Sequence, residues 1–377
     1  MKETNHLILF VIILLLCLSS ALEGSNLEGK TELDWYGYFK LDMARDSAVS
    51  SGGNYILYVR PHPEGESIST LNITARQTRL GLNMNRGDVK GKLEVDFYGG
   101  SPEHKNALML RKAYVVVPLG PLFLEAGQTA DLISPLVPAT INYSAVWGAG
   151  NIGYRRPQVK LYQQSKNFIW DVFWGISLAR NISGDLDGDT IVDGAASGVP
   201  AVQGRLACTF RPGGARLTLG GTAHYGRCNC PREDRSYANW SLGGDARLAV
   251  NARLSILGEF YTGENMGQYG GAIYNSDTVG GLESRGGWAN VQYQLGQAWT
   301  FSAGGGADVV DEARLGGVSD ARAHNSVVFA NGLYEVVPGV KLGFEWSKWT
   351  TKYVNVSPGS KRTPSDLRLQ WAVQGNF

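Results

Sequence analysis

From residue 366 to 377 the chain alternates. Leu367, Leu369, Trp371, Val373 and Phe377 are apolar, with Gly375 among them, while Arg368, Gln370, Gln374 and Asn376 lie between them, with Ala372. A period of two puts these sets on opposite faces of a β-strand. The pattern recurs at 89–100, where Val89, Leu93, Val95 and Phe97 oppose Lys92, Glu94 and Asp96. It recurs at 168–179 and 201–210, and again at 216–225, 240–250, 253–262, 289–295, 299–307 and 340–349. Helical periodicity is nearly absent after residue 30.

The joints between these stretches also alternate. NRGD (85–88), PLGP (118–121), QSKN (164–167), RPGGA (211–215), VNA (250–252), LGQ (295–297) and VPG (337–339) have the residues of tight turns. Residues 46–70, 131–156, 183–200, 264–281, 311–322 and 354–365 form long loops, with shorter ones near 100–107 and 228–235. Short turns at one edge and long loops at the other predict an all-β, antiparallel, up-and-down barrel of about sixteen strands. The last strand must pair with the first, near 31–44, to remove both edges.

Alternation alone does not separate a membrane barrel from a soluble sandwich. Charged residues in mid-strand, at Asp171, Arg205, Asp245, Arg247, Glu259 and Glu345, need water beside them. A wet lumen supplies it, and a dry core does not. Trp35, Trp240, Trp288, Trp299, Trp346 and Trp371 read as aromatic girdles on the apolar faces. An Arg facing lipid at mid-depth costs roughly 2–4 kcal/mol, so Arg205, Arg216, Arg247 and Arg368 are expected to point inward. The expected pore lining is Arg79, Lys92, Arg111, Arg155, Arg156, Lys160, Arg205, Arg247, Arg368, Asp171 and Glu345. Two stretches resist strict parity. Arg76 and Arg79 fall on opposite faces, and Arg111 and Lys112 are neighbours, so one of the latter pair is expected outside or at a strand end.

Composition narrows the class. The chain has 377 residues with a net charge of +1 and only 18% charged residues, alongside 49 Gly, 17 Tyr and 10 Trp. A near-neutral balance gives no field for nucleic acid. Residues 7–18 form an apolar run of about twelve, followed by Ser19, Ser20 and Ala21, which reads as an export leader and not as a spanning helix. Residues 1–21 are therefore assigned to a signal peptide and 22–377 to one barrel domain. Cys208 reads as a small hydrophobe, and the pairing of Cys228 with Cys230 is left open.

An exported barrel ending in Phe377 resembles Gram-negative outer-membrane proteins. In that family the final aromatic strand is an assembly signal read by the barrel assembly machinery. A narrower likeness rests on GYFKLDMARDS (37–47), NITARQTRLGL (72–82), GKLEVDFYGG (91–100), LMLRKAYVVV (108–117), AGQTADL (126–132) and RRPQVKLY (155–162). Taken in order, these resemble the DcaP-like porins, trimeric outer-membrane channels associated with dicarboxylates and related small anions. The resemblance implies passive diffusion of small hydrophilic solutes across an outer-membrane lipid bilayer. The likeness to general porins, in which the loop after the fifth strand folds into the pore, implies the same for residues 133–155, whose Trp147, Tyr143 and Gly-rich centre suit a constriction; an ordinary surface loop, or one packing on a neighbouring subunit, is the other reading. A structural or adhesive surface barrel with little conductance is the alternative.

Two further features carry candidate chemistry. Asp185, Asp187, Asp189 and Asp193 stand at positions one, three, five and nine of DLDGDTIVD, a spacing that can wrap oxygens round Ca2+. A hydrophilic external turn explains the same residues. His62, His104, His224 and His324 follow the leader, and no nucleophile–base–acid arrangement can be assembled around them, so no enzymatic activity is expected.

Overall fold

The computed structural model describes residues 29–66, 68–100, 106–166 and 170–377. The expected leader, with Cys17, and His104 lie outside the described residues. Seventeen strand segments form one sheet. In the first half they are β1 Glu32–Asp46, β2 Thr70–Thr74, β3 Arg79–Arg86, β4 Val89–Asp96, β5 Met109–Leu119, β6 Leu122–Ala130, β7 Arg155–Lys166 and β8 Trp170–Ala179. In the second half they are β9 Ala201–Phe210, β10 Arg216–Cys230, β11 Arg235–Ala249, β12 Leu254–Glu264, β13 Glu283–Leu295, β14 Trp299–Val310, β15 Ala321–Val337, β16 Val340–Val354 and β17 Ser365–Asn376. Each pairs antiparallel with its neighbour, and β17 pairs with β1 from Tyr38↔Asn376 to Asp46↔Arg368. The sheet is therefore closed. Phe377 extends the seam: its N–H donates to Gly37 O and its carbonyl accepts from Gly37 N.

Sixteen staves result, because β2 and β3 both pair with β1. They are one stave broken at 75–78. Tyr38 faces Arg79 and Asp42 faces Thr74, so the broken stave has one more residue than β1 over that interval. The Thr78 hydroxyl fills the gap by accepting from Lys40 N at 3.0 Å. Arg76 turns aside within the break, donates to the carbonyls of Phe97 and Gly100, and lies over the Tyr98 ring. The opposite parity of Arg76 and Arg79 thus reflects a broken ladder.

A second irregularity resolves the other conflict. Lys112 faces Glu94 while Leu110 faces Val95, so Arg111 is the extra residue of a β-bulge. A bulge offsets the pleat, and Arg111 and Lys112 both border the same interior cavity. The expectation that one of them lies outside is corrected.

Tight turns close one end of the staves. Gly87, with φ 56, stands in the two-residue turn between β3 and β4, where a left-handed backbone suits Gly. The outer face is largely apolar: Trp35, Phe39, Leu206, Leu242 and Phe260 project from it and are exposed, while Arg45, Arg285 and Lys348 share it toward the long-loop ends of their strands. The inner face departs from the expected uniform water column. Trp288 is buried on the inner side, with its indole N–H directed at Glu259, and so belongs to no outer girdle. It packs with Leu257, Val327, Phe329 and Trp349 from the wall, and with Ile56, Val59, Val146 and Ala149 from folded-in loops. A neighbouring apolar cluster joins Ile133 and Ile152 to Met266, Tyr269 and Ile273. Protein fills the interior along β12–β16, so the inward side chains of those strands serve packing.

The outer face generates the first prediction. Leu206 is 59% exposed and faces Trp174 and Gly221 across its neighbouring strands. Leu206→Arg is expected to cost about 2–4 kcal/mol in denaturant unfolding from lipid vesicles. Thr209→Arg, on the inner face, is expected to cost clearly less.

Candidate functional site

The site is built by the loop at 131–154, between β6 and β7. Its stem is fixed at Asp131. The Asp131 N–H donates to Tyr154 O at 2.9 Å, and the carboxylate accepts from Tyr154 N at 2.7 Å, from Arg156 Nη2 at 2.6 Å and from Gln203 Nε2 at 2.8 Å. Arg156 also lies 4.1 Å from the Tyr269 ring centroid. From this stem the chain crosses the barrel interior.

A loop inside a barrel has little bulk water to satisfy its backbone, so the wall must supply partners. Two carboxylates accept from several of its amides. Glu259 accepts from Leu136 N at 2.7 Å and from the Ser134 hydroxyl at 2.9 Å. Glu345 accepts from Ile141 N at 2.6 Å, Asn142 N at 3.3 Å and Asn331 Nδ2 at 3.0 Å. These are charge-assisted bonds, stronger than neutral ones. Lys40 Nζ and Gln370 Nε2 donate to Ile141 O, and Asn325 Nδ2 donates to Gly148 O as the loop returns. The inward fold expected of 133–155 is what the structure shows.

Between this loop and the wall of β3–β5 and β7 lies a cavity of about 320 Å³. The charged side chains on its lining are Arg79, Arg111, Lys112 and Arg155 against Glu94. Arg111 is gripped by Glu94 at 2.9 Å and by Asp96 at 2.5 Å, and its Nη1 donates to the Tyr143 hydroxyl at 3.2 Å. Glu94 also accepts from the Tyr36 hydroxyl at 2.9 Å and lies 3.7 Å from Arg79 Nε. Arg155 lies over the rings of Trp147 and Tyr154. Tyr143 stacks on Tyr98 at 3.9 Å, and Tyr55 meets both rings edge-on. The result is an opening with four cations, one carboxylate and an aromatic flank.

Of the residues expected to line a pore, Arg79, Arg111 and Arg155 meet at this cavity. Lys92 bonds Asn83 and lies over Tyr36. Lys160 pairs with Glu125 at 3.0 Å, Arg205 with Asp245 at 2.7 Å, and Asp171 with Arg211. Arg247 is exposed on β11. Arg156, Arg368 and Glu345 are buried within protein and face no open water. Arg368 is held by Asp46 at 3.0 Å and donates to Asn54 O. Lys112 was not placed at the pore from the sequence, nor were Tyr55 and Tyr98 of the tyrosine stack. The bulge hid the first, and loop residues have no period by which to find the second.

The aspartate loop lies outside the cavity. Asp185, Asp187 and Asp193 each bring an oxygen within 4.8 Å of the others, while Asp189 stands apart and accepts from Ile191 N at 2.7 Å. The three could hold a hard divalent cation, although Asp185 and Asp187 already accept backbone N–H groups of the loop. Cys228 and Cys230 are free and buried, and Cys230 Sγ donates to Asp193.

Nearby, Asp277 in the 265–282 loop accepts from Gly184 N at 3.3 Å, and its other oxygen has no partner. Burial, with Asp193 adding to it, pushes this carboxyl up to about 7.

No protein-family model matches the chain, and no curated protein does. Solved structures do match. The outer-membrane channel DcaP of Acinetobacter baumannii aligns over 94% of this chain and 100% of its own, with TM-score 0.74 and 20% identity. An anion-selective porin from Comamonas acidovorans aligns over 92% and 100%, with TM-score 0.57 and 11% identity. OprB of Pseudomonas putida aligns over 92% and 94%, with TM-score 0.55 and 10% identity. The fold is thus that of the porin barrels, and the first of these likenesses agrees with the resemblance read in the sequence.

Glu345→Ala strips acceptors from Ile141 and Asn142 and is expected to free the inner loop. The gain would read as higher single-channel conductance and greater noise, with heat-modified gel mobility unchanged. For Asp277 the folded state favours the protonated acid. Its contribution to loop stability is therefore full below about pH 4, the unfolded value, and is lost as pH rises through about 7. Limited proteolysis of 265–282 should accelerate over that window, and Asp277→Asn should flatten the pH dependence.

Proposed function

We propose that the chain is an outer-membrane porin through which small hydrophilic solutes diffuse passively, with a preference for small anions such as dicarboxylates. One observation supports the reading most: the constriction cavity carries Arg79, Arg111, Lys112 and Arg155 against Glu94 alone. A charged lining on low-dielectric walls focuses potential and sorts ions by sign. The apolar outer belt fits a lipid surround, and the porin likeness fits the outer membrane of a Gram-negative-type cell. The same likeness favours a homotrimer, since one of the aligned structures, OmpT of Vibrio cholerae, is described in a trimer form. Phe377, bonded across the seam to Gly37, is suited to act as the signal for the barrel assembly machinery. An adhesive barrel would need projecting loops, whereas 47–69, 131–154 and 265–282 contribute buried residues to the interior clusters.

The test is a planar bilayer recording with unequal potassium chloride on the two sides. Discrete openings and a reversal potential of the sign expected for chloride are predicted. A silent protein would return the adhesive reading, and the opposite sign would end the anion preference. Replacing Arg79 and Arg155 by Gln together should move the reversal potential toward the cation side.

A further inference from the structure

We infer that Glu94 is the specificity-determining residue of the constriction: an internal carboxylate that occupies the cationic cluster and limits how tightly a passing anion is held. The inference rests on the channel reading above and deepens it.

The cations are unequally satisfied. Arg111 is held from two sides, by Glu94 at 2.9 Å and Asp96 at 2.5 Å, with the Tyr143 hydroxyl beside it. It has little left to offer. Arg79 is different. Its contact with Glu94 is 3.7 Å, beyond hydrogen-bond length. Its side chain stays 22% exposed. Lys112, opposite Glu94 on the neighbouring strand, also borders the cavity.

Glu94 itself does not swing freely. It is 4% exposed and is pinned by Arg111 Nε and the Tyr36 hydroxyl. A solute carboxylate entering the cavity therefore finds Arg79 and Lys112 with donors to spare and a fixed negative charge next to both. The donors attract it, and Glu94 repels it. Passage needs binding favourable enough to enter and weak enough to leave. Glu94 supplies the second half of that condition. Asp96 carries the same charge but is fully buried behind Arg111, so its effect on a solute is indirect.

The test compares Glu94→Gln, a near-isosteric change, with Asp96→Asn in planar bilayers. Reversal potential is read in a potassium chloride gradient, and malonate is titrated as a blocker of the chloride current. For Glu94→Gln the chloride-to-potassium permeability ratio is expected to rise about threefold, with the half-blocking malonate concentration falling by about the same factor. Asp96→Asn should shift both by clearly less. An unchanged ratio and block in Glu94→Gln, or equal shifts in the two variants, overturns the role of Glu94 while leaving an anion-preferring wild type intact. A cation-preferring wild type overturns both readings. Should Glu94→Gln fail to fold, Arg79→Gln decides: the inference requires it to weaken malonate block, and unchanged block overturns it.

Discussion

A backbone N–H or C=O left unpaired in hydrocarbon costs several kcal/mol, and this penalty governs the structure. It demands closure, which the Tyr38–Asp46 segment supplies by pairing with Arg368–Asn376. It also leaves little room for defects. Where the second stave breaks at 75–78, the Thr78 hydroxyl and the Arg76 guanidinium take up backbone groups that the ladder has dropped. Closure then fixes parity, because each stave must turn one set of side chains to lipid and the other inward.

The same penalty acts inside. The loop at 131–154 leaves the ladder altogether and enters a space where most of its backbone is shielded. Its amides are met by carboxylates that the barrel wall holds ready, Glu259 on β12 and Glu345 on β16. Each carboxylate would be costly alone in so buried a place, and each amide would be as well. Together they place the loop. The packing of Trp288, Trp349 and Phe329 against other loop residues closes the far side of the interior. What remains open is the side bordered by β3–β5, where the bulge at Arg111 adds a cation that regular alternation would have sent outward.

Much of this was legible in the sequence for a physical reason. Period-two alternation and turn chemistry are local, so the strand faces, the tight turns and the sixteen staves could all be read before the structure, whereas the inward loop was implied only by the likeness to porins. What could not be read is what depends on a single residue's slip or on distant packing. The bulge that turns Lys112 inward leaves no mark in composition. Trp288 sits among inward polar neighbours such as Asn290, yet an isolated Trp near a strand end looks the same whether it meets lipid or a loop. Arg156, Arg368 and Glu345 were placed on the correct face, but parity gives a direction and not what fills the space beyond. The candidate site was therefore half legible: Arg79, Arg111 and Arg155 were expected, and Lys112 with Tyr55 and Tyr98 was not.

Ion pairing within the barrel explains why the open side keeps a positive field. Arg205 with Asp245, Lys160 with Glu125, Asp171 with Arg211 and Arg368 with Asp46 are each matched one to one, so they cancel locally. At the constriction the count is uneven. Glu94 and Asp96 together answer four cations, and both are spent chiefly on Arg111, leaving Arg155 against aromatic rings and Arg79 against a carboxylate 3.7 Å away. A near-neutral chain can thus carry a locally positive cavity, because the field inside a narrow space is set by the nearest unpaired groups and not by the sum over the sequence.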